Sequence, residues 1–456
     1  MSTTRRGRLP DAASAAAALA CSLALATGPV AAQSPTGGAR AQGPAEAVAL
    51  VGATAHPVSG PAVPNATIVI RGGRIESVGT GPAPAGTRVV DLAGRHVYPG
   101  YVSADSLLGL TEIGAVEVTN DYQETGRLNA NARAEVAVNP DSELIPVARV
   151  NGVTAAHVIP RGGAIAGTSA VVRLDGWIWE DMTVRAPVGL HVVWPRMSVS
   201  RAWWETRTEE EQKKDRDEAV AAITRPFDEA RAFRAARRAQ GQAGVARQDR
   251  DLQWEAMDTA IAGEIPVFVH ASSLAQIRAA LKFLDEQGLK RAVIVGGADA
   301  WRIADELKAR DIAVITQSTL ETPDRDDEPY DQAFTLPAKL WRAGVRFAIG
   351  GGASASNERN LPYVAAMAAA FGLPAEEAVK AITLSPAQIL GVADRLGSIE
   401  PGKSADLVVT TGDPLELTTA VEQVWIAGRA VPMESRHTRL FQKYDGKPRG
   451  AAARSR

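Results

Sequence analysis

The pattern of hydrophobic positions changes style along this chain. From Ala45 to Tyr98 apolar residues come in short bursts, "AVALVGATAHPV", "ATIVIRGGRIESVG" and "RVVDLAGRHVY", each broken by glycine or proline. Such bursts predict β-strands joined by tight turns. In the middle the bursts become near-continuous apolar runs: 152–159 (GVTAAHVI), 265–271 (IPVFVHA), 291–297 (RAVIVGG), 312–318 (IAVITQS) and 345–352 (VRFAIGGG). Runs of this kind suit strands buried on both faces of a parallel sheet. Helical periodicity fills the gaps, as in "SLAQIRAALKFLDEQG" and "ADAWRIADELKARD", and the first style returns between Gly397 and Val431.

Strand and helix alternating over this length predict an α/β fold, a (β/α)8 TIM-type barrel, with a doubly wound open sheet as the other candidate. The two β-rich ends predict a small β-sandwich domain assembled from residues 33–98 and 397–434. The barrel, 99–396, is then inserted between them, and 435–456 is a C-terminal tail. One section departs from the rhythm. Residues 198–262 are dense in alternating charge and helix formers, with Trp203 and Trp204 near the start. A solvated helix face accounts for this pattern; a lid or partner surface anchored by the tryptophans is the functional alternative.

The first 32 residues read as a secretory signal peptide. Arg5, Arg6 and Arg8 precede an alanine- and leucine-rich run from Ala12 to Ala26, and small residues Val30 and Ala32 lead to a cut before Gln33. Export to the periplasm or the extracellular space is the expectation. Cleavage removes Cys21, the single cysteine, so the mature chain has neither disulfides nor thiolate chemistry. With 45% hydrophobic residues, 22% charged residues and a formal net charge of -2, the 456-residue chain is an ordinary globular composition. It offers no basic stripe for nucleic acid, and no apolar run in the mature chain is long enough for a membrane span.

Several motifs, in order, resemble the amidohydrolase superfamily and within it the imidazolonepropionase-like metal-dependent hydrolases. They are "ALVGATAHPVSG", "IRGGRIESVG", "VVDLAGRHVYPGYVSAD", and "AITLSPAQILGVADRLGSIEPGKSADLVVTTGDPLE" followed by "VEQVWIAGRAV". The resemblance implies hydrolysis of non-peptide carbon–nitrogen bonds, in cyclic amides or dipeptide-like substrates, with one or two divalent metals at the C-terminal mouth of the barrel. It also implies a His-x-His pair at the end of the first barrel strand, where this chain has Asp105 and Leu107. His270 matches a metal-binding histidine of the family. Gly296 stands where a further histidine is expected, and Gly352 where the proton-shuttling aspartate is expected.

Metal hydrolysis needs about three protein ligands, an open position for water and a base for its proton. His270 with Asp105 supplies at most two ligands, which leaves room for one divalent metal such as zinc. His157 and His191 lie in apolar runs, where hydrogen-bonded core histidines are common; His56, His96 and His437 fall in the sheet domain or the tail. Two glycine-rich loops, "PRGGAIAGTSAVVRLDG" with Arg161 and "GGGASASNERN" with Gly351 and Gly352, suggest a cradle for a small anion. No Gly-x-Ser-x-Gly elbow occurs, which argues against a serine hydrolase.

The expectation is an exported amidohydrolase-like protein, a weak or inactive homologue (a pseudoenzyme) with a binding or partner-supporting role. The alternatives are an active hydrolase with a single-metal site rebuilt around His270, with Asp105 or His157 as partner, and a small-anion binding module. The partners in view are a small-molecule ligand, a second copy of the chain, or an active paralogue.

Overall fold

The two ends of the chain meet in one sheet. In the computed structural model, which describes residues 47–447 apart from 243, 248, 324, 326, 327 and 353, Val48–Ala55 lies at the centre of eight strands. The signal-peptide reading of residues 1–32 lies outside the described residues. Val48–Ala55 pairs antiparallel with Val63–Arg71 and parallel with Arg88–Asp91 and His96–Pro99. His96–Pro99 then pairs antiparallel with Leu407–Thr410, which sets Tyr98 opposite Val408 and draws in Val421–Ile426 and Arg429–Ala430. Leu50, Ile68, Val97, Leu407 and Trp425 fill the core of this sheet. The remote halves join because each buries an apolar face that it could not cover alone.

Gly100 carries the chain from this sheet into the α/β region. A side chain there would collide with Thr154, so only glycine lets the two backbones approach so closely. Among the described residues, seven strands with parallel neighbours follow: β1 (Tyr101–Ser106), β2 (Val153–Val158), β3 (Leu190–Val193), β4 (Val267–Ala271), β5 (Ala292–Gly296), β6 (Ala313–Thr316) and β7 (Phe347–Ile349). β1 pairs parallel with β2, and β3 to β7 pair parallel in chain order. Their continuous apolar sequences fit burial on both faces: every residue of β2, β5, β6 and β7 is buried.

The α/β class is as expected, with consecutive parallel strands. Among the described residues, however, the ladders run in two sheets rather than one closed ring. β2 is flanked by Ala170–Arg173 and β3 by Ile165–Thr168, both antiparallel. Two seams bring the sheets together. Ser169 connects the flanking strands and exchanges backbone hydrogen bonds with residues 188–189, while Ala381 and Ile382 accept from Ile349 and Val102. Val102, Ala104 and Ala155 from one sheet pack in the same cluster as Phe268, Val295 and Ile315 from the other.

The charged section forms helix α1 (Glu209–Ala239) and helix α2 (Leu252–Ile261). Thr208 and Glu211 make a capping box at the start of α1, and Asp251 caps α2. α1 is solvated over most of its surface but buries Ile223, Phe227 and Ala230, and Phe227 meets Phe283 edge-on at 5.2 Å. Burial of one such phenylalanine is worth about 1.5–3 kcal/mol. Trp203 and Trp204 are 91% and 68% exposed, so they do not pack this section onto the rest of the fold.

Candidate functional site at the ends of the parallel strands

Asp105, near the end of β1, meets Arg161 from the loop after β2. Arg161 Nη2 donates to Asp105 Oδ1 at 2.9 Å, and the Arg161 backbone N–H is held by the Tyr122 carbonyl at 2.6 Å. Burial raises the Asp105 carboxyl above its usual range, and the neighbouring guanidinium opposes that shift. The buried Nε of Arg161 has no hydrogen-bond partner among the described residues.

Glu358 reaches the same place from the loop after β7. It is fully buried, accepts from Ser103 Oγ at 2.6 Å, and keeps Oε1 without a partner among the described residues. Burial pushes its carboxyl up to about 8; the Ser103 hydrogen bond opposes this and the negative charge of Asp105 reinforces it. Glu358 is therefore mostly a neutral acid at pH 7. Gly351 makes room for it, because a Cβ there would collide with Oε2 and lie 3.0 Å from Cδ.

Three histidines line up beside these acids. His157 is buried with both nitrogens engaged: Nδ1 sits 2.8 Å from the Ala104 carbonyl and Nε2 2.8 Å from Ser169 Oγ. A carbonyl only accepts, so Nδ1 carries the proton and the serine donates to Nε2. His191 Nδ1 faces His270 Nε2 at 2.9 Å, and Phe268 stacks on His191 at 4.9 Å. Burial holds His157 down to about 4 and His270 down to about 3, the latter helped by the Arg161 charge. Burial, and then repulsion from His270, holds His191 well below its ordinary value. All three are neutral at pH 7. The Ser169–His157 pair has the spacing of a nucleophile and its base, but neither side chain is open to solvent.

Residues 177–431, more than half of the chain, match the profile of the Amidohydrolase family. The chain belongs to the amidohydrolase family. A solved amidohydrolase from Thermotoga maritima MSB8 superposes with a TM-score of 0.76 at 28% identity, covering 84% of this chain and 99% of that one. Amidohydrolase tasK of Hapsidospora irregularis is 24% identical over 388 residues, 76% of this chain but only 37% of its own length. An imidazolonepropionase of Porphyromonas gingivalis is 38% identical over 86 residues, 17% of this chain and 20% of that protein.

Among the described residues, the donor set at the strand ends does not fit a resident catalytic metal. Among the described residues, no group of three or more His, Cys, Asp or Glu could hold an ion. His157 has both nitrogens committed, Asp105 is held by Arg161 and Glu358 is mostly a neutral acid at pH 7, which leaves the His191–His270 pair, one ligand short of the usual three. Leu107 is a buried core residue. A Cβ at Gly296 would come within 2.5 Å of Ser272 Oγ, and one at Gly352 would lie 3.4 Å from Ser318 Cβ; both glycines have positive φ. Gly351 sits beside Glu358, and Gly352 beside Ser318 and Glu321. His56 and His96 lie together in the terminal sheet, and His437 contacts Arg359 at 2.8 Å.

The structure assembles Asp105, Arg161, His157, His191 and His270, and adds Glu358, Ser103 and Ser169, which the sequence did not single out. The available signal for Glu358 was its place in "SASNERN", shortly after the glycine run 350–352. An acid that needs a glycine opposite it explains both.

Proposed function

We propose that this is an exported amidohydrolase-family protein, built on a TIM-type barrel, whose mouth is organised by an ion pair in place of a metal. Its role is to bind a small molecule or to support an active paralogue, with hydrolysis of non-peptide carbon–nitrogen bonds weak at most. The observation that carries the reading is the Arg161–Asp105 contact at 2.9 Å, which puts a fixed cation beside the strand end where the family resemblance expects metal ligands.

The surrounding protonation states support it. Activating water requires a base, yet Glu358 keeps its proton below about pH 8, Asp105 is neutralised by Arg161, His157 and His191 are buried, and the half-buried His270 has Nε2 engaged by His191. Hydrogen-bond donation is better supplied. The Arg161 guanidinium, partly open to solvent, is suited to a carboxylate or another small anion. The barrel reading is supported by the apolar cluster shared between the two sheets.

The test is metal content and turnover measured on one preparation. Metal well below one equivalent per chain, with chelator-insensitive or undetectable hydrolysis of a cyclic amide and a dipeptide, is the expected result. One zinc per chain with chelator-sensitive turnover overturns the reading and favours a single-metal site at His270. Thermal shifts with a carboxylate panel that vanish in Arg161→Ala support the anion role. Sequencing the N-terminus of secreted material, expected to begin at Gln33, tests export.

A further inference from the structure

A second cleft lies at the opposite end of the strand connection from Asp105. Tyr98 precedes Asp105 by seven residues of extended chain, up to about 23 Å. The cleft encloses about 490 Å³ between the terminal sheet and the helix Ala375–Lys380. That volume falls in the range of about 300–1,000 Å³ typical of small-molecule sites.

Three features define what fits there. First, a stack of rings forms one wall: the His56 imidazole lies 4.2 Å from the Tyr98 ring with planes within 7°, and His96 stacks behind it at 5.2 Å. His56 Nε2 and His96 Nδ1 are 2.9 Å apart, so this hydrogen bond fixes the ring orientation. Second, Tyr98 is only 6% exposed and lines the cleft, yet its hydroxyl has no hydrogen-bond partner among the described residues. The ring is buried but its hydroxyl opens on the cleft, where it is positioned to bond a ligand. Third, Asp413 and Glu376 supply negative charge at the cleft, with no lysine or arginine among its lining residues. Asp413 is held in place by accepting from the Leu415 backbone N–H at 2.9 Å.

We propose that this cleft binds a small organic cation, an ammonium group carried on a short apolar or aromatic body. Aromatic faces attract cations through their quadrupole, and two carboxylates in a lining without lysine or arginine favour positive charge and repel anions. The phenol oxygen accepts from the ammonium N–H, and Val58, Pro61 and Leu415 cover the hydrocarbon body. This site stands independently of the reading of the barrel mouth, whose residues it does not use.

The probe is benzylammonium, titrated into the full chain by calorimetry, with benzyl alcohol and benzoate as neutral and anionic controls. Benzylammonium binds and the controls do not. An Asp413→Asn, Glu376→Gln double variant raises its dissociation constant about tenfold or more, a loss equivalent to one good ionic contact. The Asp413→Asn change is not expected to disturb the turn, since the amide keeps the oxygen that Leu415 needs. Tyr98→Phe provides a second, uncharged variant and weakens binding less. Arg161→Ala leaves the affinity unchanged, which separates this cleft from the barrel mouth. Equal affinity for benzoate, unchanged affinity in the double variant with wild-type circular dichroism, or no binding of benzylammonium overturns the proposal.

Discussion

Arg161 Nη2 donates to Asp105 Oδ1 across 2.9 Å, tying the loop after β2 to the end of β1. The contact neutralises a carboxylate that burial alone would disfavour.

Removing the guanidinium therefore leaves a mostly buried carboxylate alone. Breaking a fully buried pair in this way costs about 3–5 kcal/mol. The side chains of Arg161 and Asp105 are 30% and 14% exposed, so solvent screens part of that. Arg161→Met is expected to lose about 2 kcal/mol in urea unfolding at neutral pH, and Asp105→Asn in the same chain to recover part of it. A fully stable Arg161→Met protein would mean that water already solvates the carboxylate.

Gly351→Ala places a methyl group where Glu358 Oε2 now lies. The acid is enclosed and held by Ser103, so it has little freedom to move aside. Overpacking of this kind costs about 1–3 kcal/mol. In a Glu358→Ala background the same methyl is expected to cost much less, and equal costs in both backgrounds, read from urea midpoints, would refute the steric coupling.

Glu358 also sets an alkaline limit. Its folded value of about 8 lies above the ordinary 4.5, so the fold binds this proton more tightly than the unfolded chain does. The contribution is complete below 4.5 and is lost as pH rises through about 8. Stability of Glu358→Gln relative to wild type is thus expected to increase between about pH 5 and about pH 8. Parallel pH dependence of the two proteins in chemical denaturation would contradict this.

The histidines act in the acid direction. His157 and His270 titrate near 4 and 3 in the fold, and His191 well below its ordinary 6.5. The unfolded chain takes up protons first, so stability is present above 6.5 and falls as pH drops toward 3. Each histidine still neutral in the fold contributes about 1.4 kcal/mol per pH unit in that window. Glu358 opposes this with one proton, leaving a net loss. Acid unfolding followed by circular dichroism is expected to have a shallower slope for His270→Gln; an unfolding free energy independent of pH between about 6 and about 4 would be inconsistent.

Much of the frame was legible because strand burial is written in local composition. The runs at 152–159, 265–271 and 291–297 became β2, β4 and β5 with ends shifted by no more than two residues. The charged section 198–262 announced helix through its charge and helix formers, and residues 209–239 within it form one. The site was harder to read. Asp105 and Arg161 are 56 residues apart and Ser103 and Glu358 are 255 apart, so nothing local signals either pair. Histidine runs gave position but not pairing: the His191–His270 contact depends on β3 and β4 lying side by side in register, which sequence pattern alone does not specify.

The sheet shared by the two chain ends also bears on the order of events during synthesis. His96–Pro99 gains its neighbour Leu407–Thr410 only after roughly 300 further residues have been made, some 15 to 60 seconds later at about 5–20 residues per second. Until then one edge of the early strands has open backbone groups, an invitation to wrong pairing. Strands made much later are the ones that cover it, so a chain cut short before Leu407 would carry an aggregation-prone edge however well its middle had folded.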